Sequence, residues 1–258
     1  MIKAIFFDVD GTLVPSGGQT LPAETLCALK ELRRKGIHLF IATGRHISML
    51  DGIRADFEFD GYGTMNGQLF VCGDKTVCGN PIPAQGVREI VEAAAAEHFS
   101  CIFLAAAEGW TNMANDAARA FLEEFNVAAP PTMPLEYALG REIYQVIVLL
   151  APEEDHLLLD RAAHLTTTRW HPGFLDALAP GGGKATGVQA VLDHLGLTPE
   201  EIMAFGDGGN DISMLQLAHI GVATGNAGDH VKAAADYVCP PVEEQGVLEA
   251  FQHFGLIE

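Results

Sequence analysis

The chain has 258 residues, 48% of them hydrophobic and 19% charged, with a formal net charge of −19 at pH 7. That length fits one large domain or two modest ones with a sizeable core, and the composition excludes a disordered chain. The acidic balance argues against a binder of nucleic-acid backbones, which needs basic patches, but a small anionic substrate remains compatible with a site made locally positive by a metal ion, a few basic side chains and helix N-termini.

The first predicted element is a strand over Ile5 to Phe7, followed by Asp8-Val9-Asp10-Gly11-Thr12. Burying the apolar run is favourable, whereas carboxylates at its end are costly unless a cation or donors meet them. Residues two apart on extended backbone point to one side, so Asp8 and Asp10 can address one ion or reacting group. Taken alone, the pair also reads as an Asx-type turn. Thr20 and Pro22 are predicted to start a helix that turns Leu26, Leu29 and Leu32 inward and ends near Gly36. A buried strand over Ile37 to Ala42 follows, then Thr43-Gly44-Arg45, a helix from about His46, and a hairpin over Gly67 to Gly79 turning near Gly73-Asp74.

The middle reads differently. Pro81-Ile82-Pro83 opens it and Pro180-Gly181-Gly182-Gly183 closes it, as linkers do. Between them Val87, Ile90, Val91 and Ala94 mark an amphipathic helix, and a strand over Tyr144 to Leu150 precedes a helix from Pro152. Strand and helix then alternate again, with a helix over Lys184 to Leu195, a strand over Glu201 to Phe205, a helix near Asp211 to Leu217 and a strand over Ile220 to Ala223. The expected fold is α/β, a Rossmann-like doubly wound parallel sheet formed by residues 1-81 and 181-258, with an inserted α+β cap domain at 82-180. No apolar run approaches the roughly 18 residues that span a bilayer, and the start has no secretory pattern. The expected location is cytoplasmic, with Cys27, Cys72, Cys78, Cys101 and Cys239 as reduced core thiols.

Four segments fall where a strand or linker gives way to a helix: Asp8 to Leu13, Thr43-Gly44-Arg45, Gly183-Lys184, and Gly206-Asp207-Gly208-Gly209-Asn210-Asp211. Ligands of open parallel sheets bind outside the carboxyl ends of strands, so these segments should meet at one crevice. Their order and spacing resemble the haloacid dehalogenase superfamily of phosphotransferases. The insert between Thr43 and Lys184 looks like the type IIB cap arrangement of the Cof-like sugar-phosphate phosphatases, whose members typically carry an Asn-Gly pair where this chain has Asn66-Gly67. Gly183-Lys184-Ala185 departs from the family's frequent Ser-Lys-Gly, which keeps the lysine and removes any serine contact.

Phosphoryl transfer needs an in-line nucleophile and neutralised oxygens. Asp8 is placed to attack phosphorus and form an aspartyl-phosphate. The Asp8 and Asp207 side chains and the Asp10 carbonyl form a hard oxygen set for Mg²⁺, with Asp211 as a direct ligand or the holder of a metal-bound water. The Asp10 side chain is left to move protons. Thr43, Gly44, Lys184 and Asn210 are expected to hold the other phosphate oxygens, although Lys184 also reads as a solvated lysine at a helix start. Arg45 binds substrate or braces its loop. Arg169, Trp170 and His171 either face a sugar or pack in the insert, as do Trp110 and Asn112. The expected function is Mg²⁺-dependent hydrolysis of small phosphomonoesters, hexose or related sugar phosphates foremost, with no nucleic-acid or membrane partner. The alternatives are a sugar-phosphate mutase and a non-catalytic binding protein on the same scaffold.

Overall fold

The computed structural model describes residues 1–258. The chain begins with β1 (Ala4–Phe7), α1 (Ala23–Arg34), β2 (His38–Ala42), α2 (Asp51–Asp56), β3 (Gly61–Thr64), β4 (Leu69–Cys72) and β5 (Lys75–Gly79). It continues with α3 (Ala84–Glu97), β6 (Ser100–Leu104), β7 (Gly109–Thr111), α4 (Asp116–Glu124), β8 (Gln145–Leu149), α5 (His156–Leu159), β9 (Thr166–His171) and β10 (Phe174–Leu178). Last come α6 (Lys184–Leu195), β11 (Ile202–Gly206), α7 (Ile212–Leu217), β12 (Ile220–Ala223), α8 (Asp229–Lys232), β13 (Tyr237–Val238) and α9 (Gly246–His253). Two compact units result, Met1–Cys78 with Gly183–Glu258, and Gly79–Gly182.

The first unit carries an eight-stranded sheet in the order β13-β12-β11-β1-β2-β3-β4-β5. Strands β13 to β3 in that order run parallel, and β4 pairs antiparallel with β3. Parallel strands are covered on both faces, which is why β1 is apolar at every position. On one face Ile5 and Phe7 pack with Leu29 and Leu32 of α1 and Phe251 of α9, Phe7 stacking on Phe205 at 5.3 Å. On the other, Phe6 stacks on Phe40 at 4.9 Å beneath Val188 and Val191 of α6 and Met214 of α7. Each such ring, fully buried, contributes roughly 1.5–3 kcal/mol. The order of connections reverses beside β1, with β2 and β3 on one side and β11 to β13 on the other. A crevice therefore forms at the carboxyl ends of β1 and β11.

Local departures from the sequence expectation have local causes. Pro22, with φ −56° and ψ 142°, takes the N-cap position of α1 and leaves Thr20 outside the helix. The approach to that helix is held by the Leu21 amide, which donates to Asp56 Oδ2 at 2.8 Å. The helix expected from His46 is a 3₁₀ turn, Ile47–Met49, with α2 starting only at Asp51. Pro152 likewise opens a 3₁₀ turn before α5. Of the five thiols expected in the core, Cys101 and Cys239 are buried, Cys72 and Cys78 are half-buried, and Cys27 is exposed on α1.

The second unit is an α+β domain with a five-stranded sheet, β7-β6-β8-β10-β9, whose neighbours all pair antiparallel. Its core joins Ile90 of α3 to Phe103, Trp110, Val146, Val148 and Leu175 from the strands. No helix of the chain is long and apolar enough to cross a membrane.

Candidate active site

The run that buries β1 delivers Asp8 to the sheet's carboxyl edge, where the Asp8 amide donates to the Phe205 carbonyl at 3.0 Å and ties the ends of β1 and β11 together. The next residues turn sharply. Gly11 has φ +74°, and a Cβ there would lie 2.2 Å from Asp207 Oδ2, so only glycine lets the two acidic loops approach this closely. Thr12 Oγ1 donates to Asp207 Oδ1 at 3.1 Å and completes the junction.

Asp8, Asp207 and Asp211 offer carboxylate oxygens that all lie within 4.8 Å of one another. Lys184, 1% exposed at the start of α6, donates to Asp8 Oδ1 at 2.6 Å and to Asp211 Oδ1 at 2.5 Å. It is therefore no solvated lysine. Asp211 Oδ2 accepts from the amides of Asp207 and Gly208 at 3.0 and 2.9 Å, so this wholly buried carboxylate fixes both the lysine and the loop. Burial, and then the Asp211 charge, hold the Asp8 carboxyl well above the usual range against the pull of Lys184. The same two causes push Asp207 up to about 7. Burial acts against the Lys184 ammonium, yet Asp211 and Asp8 raise it above its ordinary value. With all three carboxylates ionised, Lys184 balances one of them and two negative charges remain, which one divalent cation would neutralise. The oxygen-only donor set is the kind that a hard cation takes.

Asp10 stands apart from that group. Its carboxylate is clamped by Arg45, Nε to Oδ2 and Nη2 to Oδ1, each at 2.7 Å. Arg45 also donates to the carbonyls of Gly18 and Met49, so its guanidinium braces the loop. Thr43 is buried beside it, and its hydroxyl accepts from the Arg45 amide at 3.1 Å. Asn210 Nδ2 donates to Asn66 Oδ1 at 2.8 Å, and Asn66 lies against Gly44.

Asn226 is absent from the sequence reading, and Asn66 enters it only as half of the Asn66-Gly67 pair. Asn226, just after β12, donates to the Gly11 carbonyl at 2.9 Å and to Asp207 Oδ2 at 3.2 Å. Asn66 sits in a run of three left-handed residues, Met65, Asn66 and Gly67. The signal for Asn226 was available as one more polar Gly-Asn step directly after a buried strand.

The candidate sugar contacts in the insert are engaged within that unit. Arg169 donates to the carbonyls of Leu150, His171, Pro172 and Phe174 and pairs with Asp155, bracing the turn between β9 and β10. Trp170 Nε1 donates to Asp176 Oδ2 at 2.9 Å, and its ring meets Phe125 and Phe174 edge-on. His171 stacks on Phe174 and bonds Glu124 at 2.9 Å. Trp110 is buried against Phe103, and Asn112 bridges the backbone of Phe99 and Cys101.

Acidic residues and a buried lysine meet at the switch point of a doubly wound sheet, an arrangement suited to phosphoryl transfer. The chain belongs to the haloacid dehalogenase-like hydrolases, whose family model matches residues 5–251. YkrA of Bacillus subtilis, which bears a phosphatase name, is 31% identical over 99% of both chains. Among solved structures, the subclass IIB sugar phosphatase BT4131 is 38% identical with a TM-score of 0.91, over 99% of this chain and 100% of that one. The phosphatase BT1666 of Bacteroides thetaiotaomicron is 34% identical with a TM-score of 0.90, over 100% and 96% of the two chains. The protein is thus a phosphatase of this superfamily.

Proposed function

We propose that this phosphatase hydrolyses sugar phosphates, hexose phosphates foremost, with Mg²⁺ and through an aspartyl-phosphate on Asp8. The observation that carries this reading is the buried Asp8 carboxylate at the end of β1, grouped with Asp207 and Asp211 and held by Lys184. In the first step an Asp8 oxygen attacks phosphorus as the bond to the leaving oxygen breaks, and that oxygen takes a proton from Asp10. In the second, water attacks phosphorus and gives a proton to Asp10, releasing inorganic phosphate and restoring Asp8.

The donors expected around the phosphate have capacity for it. Lys184 uses two of its three N–H groups on Asp8 and Asp211. Asn210 uses one amide hydrogen on Asn66, and the Thr43 oxygen accepts from Arg45, which leaves its O–H to donate. Asp8 and Asp207, with the Asp10 carbonyl and with Asp211 directly or through water, would hold Mg²⁺. The bound ion would neutralise phosphate oxygens that an anionic nucleophile must approach.

The sugar assignment draws on BT4131, a sugar phosphatase 38% identical to this chain. It also draws on YcsE of Bacillus subtilis, 28% identical, a 5-amino-6-(5-phospho-D-ribitylamino)uracil phosphatase. The test is phosphate release from a panel of sugar phosphates, nucleotides and cofactor phosphates. Hexose phosphates should lead the panel, Asp8→Asn should release nothing while remaining folded, and chelation should stop turnover. Full activity of Asp8→Asn would sink the nucleophile, and undiminished activity after chelation would sink the metal.

A further inference from the structure

We propose that Arg45 is a positioning residue for proton transfer, and that it orients Asp10 so that Oδ2 is the oxygen carrying the mobile proton; this rests on the proposed role of Asp10 as acid and base. Each carboxylate oxygen has two lone-pair sites. On Oδ1 both are taken, by Arg45 Nη2 at 2.7 Å and by the Gly17 amide at 2.8 Å. On Oδ2 only one is taken, by Arg45 Nε at 2.7 Å. The two parallel N–H···O bonds fix the plane of the carboxylate, and the Gly17 amide fixes which oxygen remains half free. Oδ2 can then give a proton to the leaving oxygen as its bond to phosphorus breaks. The same oxygen later accepts a proton from the attacking water, so Asp10 ends as it began.

Arg45 is built for holding. Of its five N–H groups, Nε serves Asp10, Nη2 serves Asp10 and the Gly18 carbonyl, and Nη1 serves the Met49 carbonyl at 3.1 Å. Its side chain is 4% exposed. A guanidinium this occupied has little left to offer a substrate. Lysine, a point charge without the fork, cannot reproduce the pair of bonds that orients Asp10.

The proposal separates substrates by their leaving groups. A hexose phosphate expels an alkoxide and needs its proton in the transition state, whereas p-nitrophenyl phosphate expels a stable phenolate and needs it far less. Steady-state kinetics of wild type, Arg45→Met and Arg45→Lys should be compared on glucose 6-phosphate and p-nitrophenyl phosphate with Mg²⁺ present, alongside thermal melts. In both variants kcat/KM on the sugar phosphate, which reports the steps through departure of the leaving oxygen, should fall about 100-fold, the scale of a general acid's contribution. On the aryl phosphate kcat/KM should change by less than about fivefold, whereas kcat, where attack of water on the aspartyl-phosphate limits turnover, should fall as well because that step uses the same Asp10 oxygen as base. Equal losses of kcat/KM on both substrates, or an unchanged kcat/KM on the sugar phosphate, would overturn the positioning role and leave the phosphatase reading standing. Failure of the wild type to release phosphate from either substrate would instead strike that reading itself. If Arg45→Met does not fold, Arg45→Lys, which keeps the charge and most of the length, decides by the same comparison.

Discussion

Asp207 sits between two other carboxylates, and burial followed by the Asp211 charge pushes it up to about 7. Its unfolded value is near ~3.9, so the folded, metal-free protein binds more protons than the unfolded chain over that interval. The stabilising contribution of the protonated group is complete below about pH 4 and is lost as the pH rises through the folded value of about 7. Asp8 is raised as well and acts in the same direction. A cation takes the deprotonated carboxylates, so the stabilisation it gives should grow across the same interval. Thermal melts with Mg²⁺ and with chelator should therefore show a small increment in Tm near about pH 5 and a large one near about pH 8; equal increments would contradict the site. Asp207→Asn removes one of the costly charges. At about pH 8 the chelated variant should be more stable than chelated wild type by denaturant titration, by on the order of 1–3 kcal/mol, because a neutral amide escapes the burial and the Asp211 charge that act against the carboxylate, and Mg²⁺ should add little to it.

Elements with continuous apolar runs were legible in the sequence, and with them the site. β1 and β11, buried throughout, and β2, buried after His38, announce themselves as parallel strands, and the acids, Thr43 and the turn after each strand follow at fixed positions. β3 did not announce itself because it reads Gly61-Tyr62-Gly63-Thr64, and glycine hides both propensity and alternation. The glycines are there for room: a Cβ on Gly63 would lie 2.4 Å from the Phe70 ring. The pairings of Arg45 with Asp10 and of Lys184 with two acids were hidden for another reason. Spacing tells which residues reach the crevice, whereas the choice between a substrate and a neighbouring carboxylate depends on side-chain direction. The turn after β3 gives this a test. Gly67 has φ +77°, and an added Cβ would stand 2.8 Å from the Gly183 carbonyl and 3.0 Å from Lys184 Cα, at the start of α6. Gly73 has φ +55° with nothing within 4 Å of such a Cβ. Gly73→Ala should cost about 1–2 kcal/mol of stability from backbone strain alone, with kcat unchanged. Gly67→Ala carries the same strain and also displaces Lys184, so kcat should fall at least about tenfold, the scale of a site misplaced by a fraction of an ångström. Similar kcat values in the two variants would separate Lys184 from the turn.

At the scale of the whole molecule, two units each have their own core, and 34 acidic residues face 15 basic ones. The balance within the site differs from this excess, because Lys184 and Arg45 sit directly among its carboxylates and a bound divalent ion would neutralise the remainder. Attraction of phosphate is thus short-range, whereas the field met by a distant phosphate dianion is that of a chain with net charge −19. Salt acts unequally on the two. Screening lengths fall from ~30 Å at 0.01 M to ~10 Å at 0.1 M, so added salt removes the long-range repulsion before it weakens contacts of a few ångströms. At fixed free Mg²⁺, kcat/KM for a hexose phosphate should therefore rise about two- to fivefold between roughly 10 and 150 mM KCl, with kcat constant. An uncharged salt substitute such as sucrose should not reproduce the rise. A profile that falls from the lowest salt onward would mean that the local positive field of the occupied site reaches further than the acidic exterior, and that the net charge has no part in substrate encounter.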